Sequence, residues 1–261
     1  YIKDTRNQDP RMAREVASHT PAEMGIEAAR MAMTRAGIGP KDIGMVVGNC
    51  CNPSCLFPTE AQQIANGLGI EAPAYEVMTA CPAFALHMDF LNNFENDQLP
   101  DYVLCVSTAA LTQSVDYNDR SGGPIWGDGA AAWIVSSKHP GKLSVIDTYF
   151  QADPTRYRAV VVDRIGHFWQ DGRAVRDFSV RHTVRLIKRL ETEFPIDWSN
   201  DIFIGHQANR TMLEQIRNNR HIPESQHWHN VEYLGNQAAA GAPATLSMHW
   251  EKVTPGKKLV V

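Results

Sequence analysis

Two stretches of this chain follow the same plan. Residues 24–48 run from an apolar stripe at helical spacing, through a turn, into a short buried-looking apolar run that ends on glycine (Ile43-Gly44-Met45-Val46-Val47-Gly48). Residues 178–205 repeat it: an amphipathic stretch with Val180, Val184, Ile187 and Leu190 on one side, then Asp201-Ile202-Phe203-Ile204-Gly205. The repeat is of pattern and not of letters. Helices of period 3.6 alternating with short, fully apolar strands require an α/β architecture. A plan that occurs twice implies two related halves, 1–145 and 146–261.

Composition narrows the function classes. The 261 residues carry 25 Lys and Arg against 29 Asp and Glu, a net charge of −4, and 43% are hydrophobic. That suits a folded soluble enzyme and not a disordered chain. No apolar run approaches the ~18 residues of a membrane span, and no basic block offers a footprint for nucleic acid. The five cysteines are odd in number, and Cys50, Cys51 and Cys55 crowd into six positions. This is a poor disulfide framework, and it points to a reducing, cytoplasmic setting. The cysteine cluster has no matching second cluster at zinc-site spacing, so no metal is expected.

Three positions carry chemistry. In Val77-Met78-Thr79-Ala80-Cys81-Pro82-Ala83-Phe84 a strand ends, a cysteine follows and a proline opens a helix. Most lone cysteines are structural. This one sits where free N–H groups and the helix dipole would favour a thiolate, on a turn held by rigid elements. His206, in Gly205-His206-Gln207-Ala208-Asn209-Arg210, occupies the equivalent place after the second buried strand. Asn236, in Leu234-Gly235-Asn236-Gln237-Ala238-Ala239-Ala240-Gly241, lies in a turn followed by small residues that allow close approach of backbone or ligand. His227 and His229, flanking Trp228, read as a chance pair. Glu60, in Pro58-Thr59-Glu60, reads as an acid in a first helical turn and not as a general base.

The motifs Thr79-Ala80-Cys81, Gly127-Asp128-Gly129-Ala130-Ala131, Gly205-His206-Gln207-Ala208-Asn209 and Gly235-Asn236 occur in the order found in β-ketoacyl-ACP synthase III. From about Met24 to Val261 the chain resembles that branch of the thiolase-fold condensing enzymes. The resemblance implies a five-layered αβαβα fold of two similar halves. It implies a catalytic set of Cys81, His206 and Asn236, and substrate contacts from Gln207, Asn209, Arg210 and Phe84. It implies no bound cofactor: CoA or phosphopantetheine thioesters are the substrates, acyl carrier protein or acyl-CoA and a malonyl thioester the partners, and a homodimer, or a heterodimer, the assembly. The implied reaction is acyl transfer to Cys81 followed by decarboxylative Claisen condensation. Two alternatives stand beside it: an acyltransferase acting on an alcohol or amine, and a non-catalytic partner subunit of the same fold.

Several letters depart from the family. Pro82 follows the cysteine where a small residue is usual, Gln237-Ala238 replaces Thr-Ser, and Arg210 comes one position early for the family's basic residue. Residues 149–173 match poorly. These departures imply a specialised member, of the secondary-metabolite kind. The chain opens on Tyr1 and stops three residues into the apparent strand Leu259-Val260-Val261. The fold is therefore expected to be incomplete at both ends, with the family's glycine-rich strand lying beyond Val261.

Overall fold

The structure is a computed structural model that describes residues 5–120, 122–163 and 165–261. Helix α1 (Pro21–Ala36) begins where the sequence places it. Thr20 accepts from the Glu23 N–H while the Glu23 carboxylate accepts from the Thr20 N–H, a reciprocal capping box, and Gly37 closes the helix at φ +70°. The chain continues through β1 (Ile43–Cys50), α2 (Glu60–Leu68), β2 (Ala74–Glu76), α3 (Ala83–Asn92), β3 (Tyr102–Ala110) and β4 (Asp128–Val135). The four strands form one sheet in the order β2-β1-β3-β4, parallel except for the β3–β4 pair. Strands β1 and β3 are buried almost throughout, which is why they read as unbroken apolar runs and not as alternating ones.

The sheet is covered on both faces. Ala29 and Met33 of α1 and Ile64 and Ala65 of α2 pack with Val46, Leu104 and Val106 on one side. Met45, Val47, Val103 and Cys105 face the other side, against Leu91 and Met88 of α3. His87 of α3 is also wholly buried. Its Nε2 lies 3.2 Å from the Val77 carbonyl.

The second half opens with a short hairpin, β5 (Val160–Val162) and β6 (Phe168–Gln170), within the stretch that matches the family poorly. Helix α4 (Gly172–Glu193) starts two turns earlier than the apolar stripe indicates, because Asp171 caps it by accepting from the Ala174 N–H. Then come β7 (Ile202–Phe203), α5 (Arg210–Asn219), α6 (Val231–Leu234), α7 (Gly241–Met248) and β8 (Leu259–Val260). Strand β8 pairs in parallel with β7, as Ile202↔Leu259 and Phe203↔Val260. Among the described residues this second sheet has only those two strands, against four in the first. The repeated plan is thus present as helix-then-strand in both halves, but the strands of the second are shorter than their apolar runs.

Candidate active site

The turn that carries Cys81 is built under strain. Ala80 adopts φ +56°, a left-handed conformation that costs a non-glycine residue about 1–3 kcal/mol. The turn is held from both sides: the Thr79 N–H donates to the Asn49 side chain at the end of β1 (3.2 Å), and the Ala83 N–H donates back to the Ala80 carbonyl (3.3 Å). Cys81 lies one residue further from the helix than its sequence context indicates, since Pro82 is the residue that caps α3. It packs against Ala109, Leu111 and Ala238 together with Cys51, Trp126 and Phe168.

Asn236 is buried and reaches this place from the other half. Its backbone forms a bridge to Trp126: the Asn236 N–H donates to Ile125 (2.7 Å), and the Asn236 carbonyl accepts from Gly127 (3.1 Å). The approach is close enough that a Cβ on Gly127 would lie 1.9 Å from the Leu234 carbonyl oxygen, and Gly235 sits at φ +69°. This explains why both glycines occur where they do. The Asn236 Oδ1 accepts from the Ala238 N–H (3.0 Å), so its Nδ2 is left as a donor with no protein partner among the described residues. Gln237, the departure from the family's letters, fills the space over Gly129 and donates from Nε2 to the Asp128 carbonyl (2.7 Å).

His206 follows β7 in the segment before α5, and it is partly exposed. Two contacts draw it toward the same region. Phe84 of α3 packs with Ile202 and Ile204, which lead to His206, while its ring meets Trp133 edge-on at 4.8 Å. The next residues, Ala208 and Asn209, line a small cavity of about 40 Å³ together with Asn236, Ile125 and Met212. Cys81 and Asn236 thus share a neighbourhood through Trp126 and Ala238, and the segment that follows His206 borders Asn236 through Ala208 and Asn209.

The expected thiolate is not what the surroundings favour. Desolvation pushes the Cys81 thiol up to about 11, with its own backbone N–H pulling the other way. Proximity to the helix start does not outweigh burial among apolar side chains. Burial likewise pushes His206 down to about 4. Both groups rest neutral. Burial also drives the Cys51 thiol up to about 12, with Cys81 beside it adding to the shift.

The four expected substrate contacts have different placements. Asn209 borders the cavity and caps α5 by accepting from the Met212 N–H (2.8 Å). Phe84 packs with Ile202 and Ile204 and against the Trp133 ring. Gln207 is wholly buried: its Nε2 donates to the Gly205 carbonyl (2.7 Å), and its Oε1 accepts from Asn230 (2.9 Å) and Val231 (3.3 Å). These bonds hold the His206 segment in shape. The Arg210 guanidinium is engaged by Glu214 (2.7 Å), Glu224 (2.7 Å) and Glu232 (3.2 Å). Glu60 is buried in the first turn of α2, where one carboxylate oxygen accepts from the Ser54 N–H (2.5 Å) and ties down the loop after β1. Sequence reasoning overlooked Trp126 and Phe168, whose rings stand 4.1 Å apart beside Cys81. The signal available was the position of Trp126 directly before the Gly-Asp-Gly motif.

Comparison with known proteins decides the family. The family description "3-Oxoacyl-[acyl-carrier-protein (ACP)] synthase III" matches residues 75–154, and its C-terminal counterpart matches residues 199–261, together just over half of the chain. The chain belongs to the β-ketoacyl-ACP synthase III family. It is 25% identical over 257 residues to the beta-ketoacyl-[acyl-carrier-protein] synthase III of Rhizorhabdus wittichii, covering 93% of this chain and 79% of the relative. It is 28% identical over 247 residues to the same enzyme of Synechocystis sp., covering 88% and 74%. Among solved structures, the 3-oxoacyl-[acyl-carrier-protein] synthase III of Aquifex aeolicus superposes with a TM-score of 0.84 at 23% identity, over 90% of this chain and 77% of that one. The OleA protein of Xanthomonas campestris gives 0.79 at 18%, over 94% and 78%. The fold is the thiolase-like α/β fold, and a synthase III-family chain is a condensing acyltransferase.

The neutral imidazoles of this family member give stability a pH dependence. The Val77 and Gly48 carbonyls oppose the downward shift of His87, but burial dominates and takes it to about 4. For His87 and His206 alike the folded value lies below the ordinary ~6.5. Their contribution is therefore fully present above ~6.5 and is lost as pH falls through about 4. Urea titrations at pH 7.0, 5.5 and 4.5 should show unfolding free energy falling, by up to about 3 kcal/mol per ring at the acid end. A flatter profile is expected for His87→Leu. Equal stability at pH 7.0 and 4.5 would contradict the neutral assignment.

Proposed function

We propose that this chain is a β-ketoacyl synthase that loads an acyl group from a CoA or carrier-protein thioester onto Cys81 and condenses it with a malonyl thioester. The observation that carries this reading is the state of Asn236. Its oxygen accepts from the Ala238 N–H, which turns the Nδ2 N–H groups outward as donors. With a neutral imidazole from His206, this amide would provide two N–H groups for a developing thioester enolate. It provides no base for taking a proton from carbon, and decarboxylation needs none.

In the first half-reaction the Cys81 sulfur bonds to the acyl carbon, and the bond from that carbon to the carrier sulfur breaks. The Cys81 proton ends on the departing thiol. With the thiol near 11 and His206 near 4, no resting ion pair forms, so proton transfer accompanies attack and does not precede it. In the second half-reaction the malonyl carbon–carboxylate bond breaks and CO2 leaves. The electron pair passes onto the thioester oxygen, held by His206 and Asn236. The α-carbon then attacks the acyl carbon, a carbon–carbon bond forms, the Cys81–acyl bond breaks, and the released thiolate takes a proton from solvent.

The test is CO2 release from a malonyl thioester by enzyme preloaded with an acyl group. One CO2 and one β-ketoacyl thioester per acyl group consumed is the expected result. Acyl loss to an alcohol or amine without CO2 would favour the acyltransferase, and failure to load any acyl thioester would favour a non-catalytic subunit.

A further inference from the structure

The segment His227-Trp228-His229 borders the second sheet: the Trp228 N–H donates to the Phe203 carbonyl (3.0 Å), and His227 bridges Phe203 in parallel. The two histidine rings come together, 4.9 Å between centroids. His227 is only 3% exposed, and among the described residues neither ring nitrogen has a hydrogen-bond partner. Buried imidazoles normally pair at least one nitrogen, and a buried imidazolium without a partner would be costly. The ring is therefore neutral, with an unused lone pair. His229 is arranged differently. Its Nδ1 lies 2.8 Å from a Glu232 carboxylate oxygen, so Nδ1–H donates there and the Nε2 lone pair faces the Arg210 guanidinium, with Glu224 3.5 Å away. One ligand atom each from Glu224, His227 and His229 fall within 4.8 Å of one another.

We propose that Glu224, His227 and His229 form a binding site for a divalent transition metal of the zinc type, outside the proposed catalytic set. Two imidazoles and a carboxylate are a donor set that zinc accepts with a fourth position open to water. Zinc bonds of ~2.0–2.2 Å call for the three atoms to draw in by about an ångström, within the reach of side-chain rotation on a partly exposed rim. The Glu232–His229 pair supplies the outer carboxylate that fixes tautomer and ring orientation in such sites.

The competitor is Arg210. Its guanidinium contacts Glu224 and lies against His229, where it occupies the place of a cation, and Arg217 adds a second contact to Glu224 at 3.0 Å. Three carboxylates, Glu214, Glu224 and Glu232, outnumber these two guanidiniums. Arg210 already reaches Glu214 through Nε (2.7 Å), so it has a partner to retreat to when a metal enters. Bound metal would also brace the segment of His206, because the residues after His229 donate two N–H groups to Gln207.

The experiment uses tag-free, chelator-treated full chain, titrated with Zn²⁺ by calorimetry and with Co²⁺ by visible absorption. Expected are one site per chain with Kd of about 1 µM or tighter, and tetrahedral Co²⁺ bands without sulfur-to-metal charge transfer. His227→Gln and His229→Gln should each weaken binding by at least the ~10–100-fold that outer partners command. His229, with a side chain 17% exposed, gives the readout should His227→Gln not fold. Arg210→Met should bind Zn²⁺ more tightly than the native chain. No saturable binding, affinity unchanged in the histidine variants, weaker binding by Arg210→Met, or a sulfur charge-transfer band would overturn the proposal.

Discussion

Cys81→Ala is expected to lower condensing turnover by about 10⁴ or more, the scale on which removal of a covalent nucleophile acts, while Cys51→Ala stays within a few-fold of the native chain. The two thiols pack in one cluster, so the contrast separates nucleophile from neighbour. The same site makes a kinetic prediction. Because burial holds the Cys81 thiol near 11, its alkylation by iodoacetamide should accelerate about tenfold per pH unit from neutrality and level off near that value. Peptide mass mapping at several pH values reads this directly. A plateau already reached below pH 8 would mean that an activated thiolate is present at rest. Activity retained after Cys81→Ala would remove the residue from the mechanism altogether.

His206→Ala and Asn236→Ala should each slow decarboxylation by about 10²–10³, the usual cost of one enolate or oxyanion donor, with acylation of Cys81 affected far less. The split follows from the resting state. A neutral His206 does not prepare a thiolate, and the Asn236 amide offers its Nδ2 as a donor, so both act mainly when charge develops on the malonyl thioester. Single-turnover acylation set beside CO2 release tests the split. If both variants lose acylation and retain decarboxylation, the two residues orient the thiol, and the acyltransferase reading gains.

Much of this was legible from the letters. Helix α1 announced itself through Thr20, Pro21 and Glu23, because capping is local chemistry. Strands β1 and β3 announced themselves through apolar runs bounded by turns. What was not legible depends on contacts distant in sequence. The residue before Cys81 carries the strain, and its φ of +56° is invisible in an alanine. The dipole argument for a lowered thiol failed because Ala109, Leu111 and Ala238, from remote segments, desolvate the sulfur. The protein partners of Gln207 and Arg210 were also hidden. The first is consumed by the backbone of Asn230 and Val231, the second by three glutamates. His227 and His229 read as a coincidence because alternation alone says nothing of Glu224, Glu232 or the absent partners of the His227 ring.

The central claim is that Cys81 carries the acyl group through to carbon–carbon bond formation. Intact-protein and peptide mass spectrometry after incubation with an acyl thioester, then again after a chase with malonyl thioester, tests it most directly. The account predicts one acyl group per chain, on the peptide containing Cys81, lost on the chase as a β-ketoacyl product of one acyl plus two carbons. An adduct on Cys51 or Cys55 instead, or a Cys81 adduct that the malonyl thioester leaves in place, would contradict it.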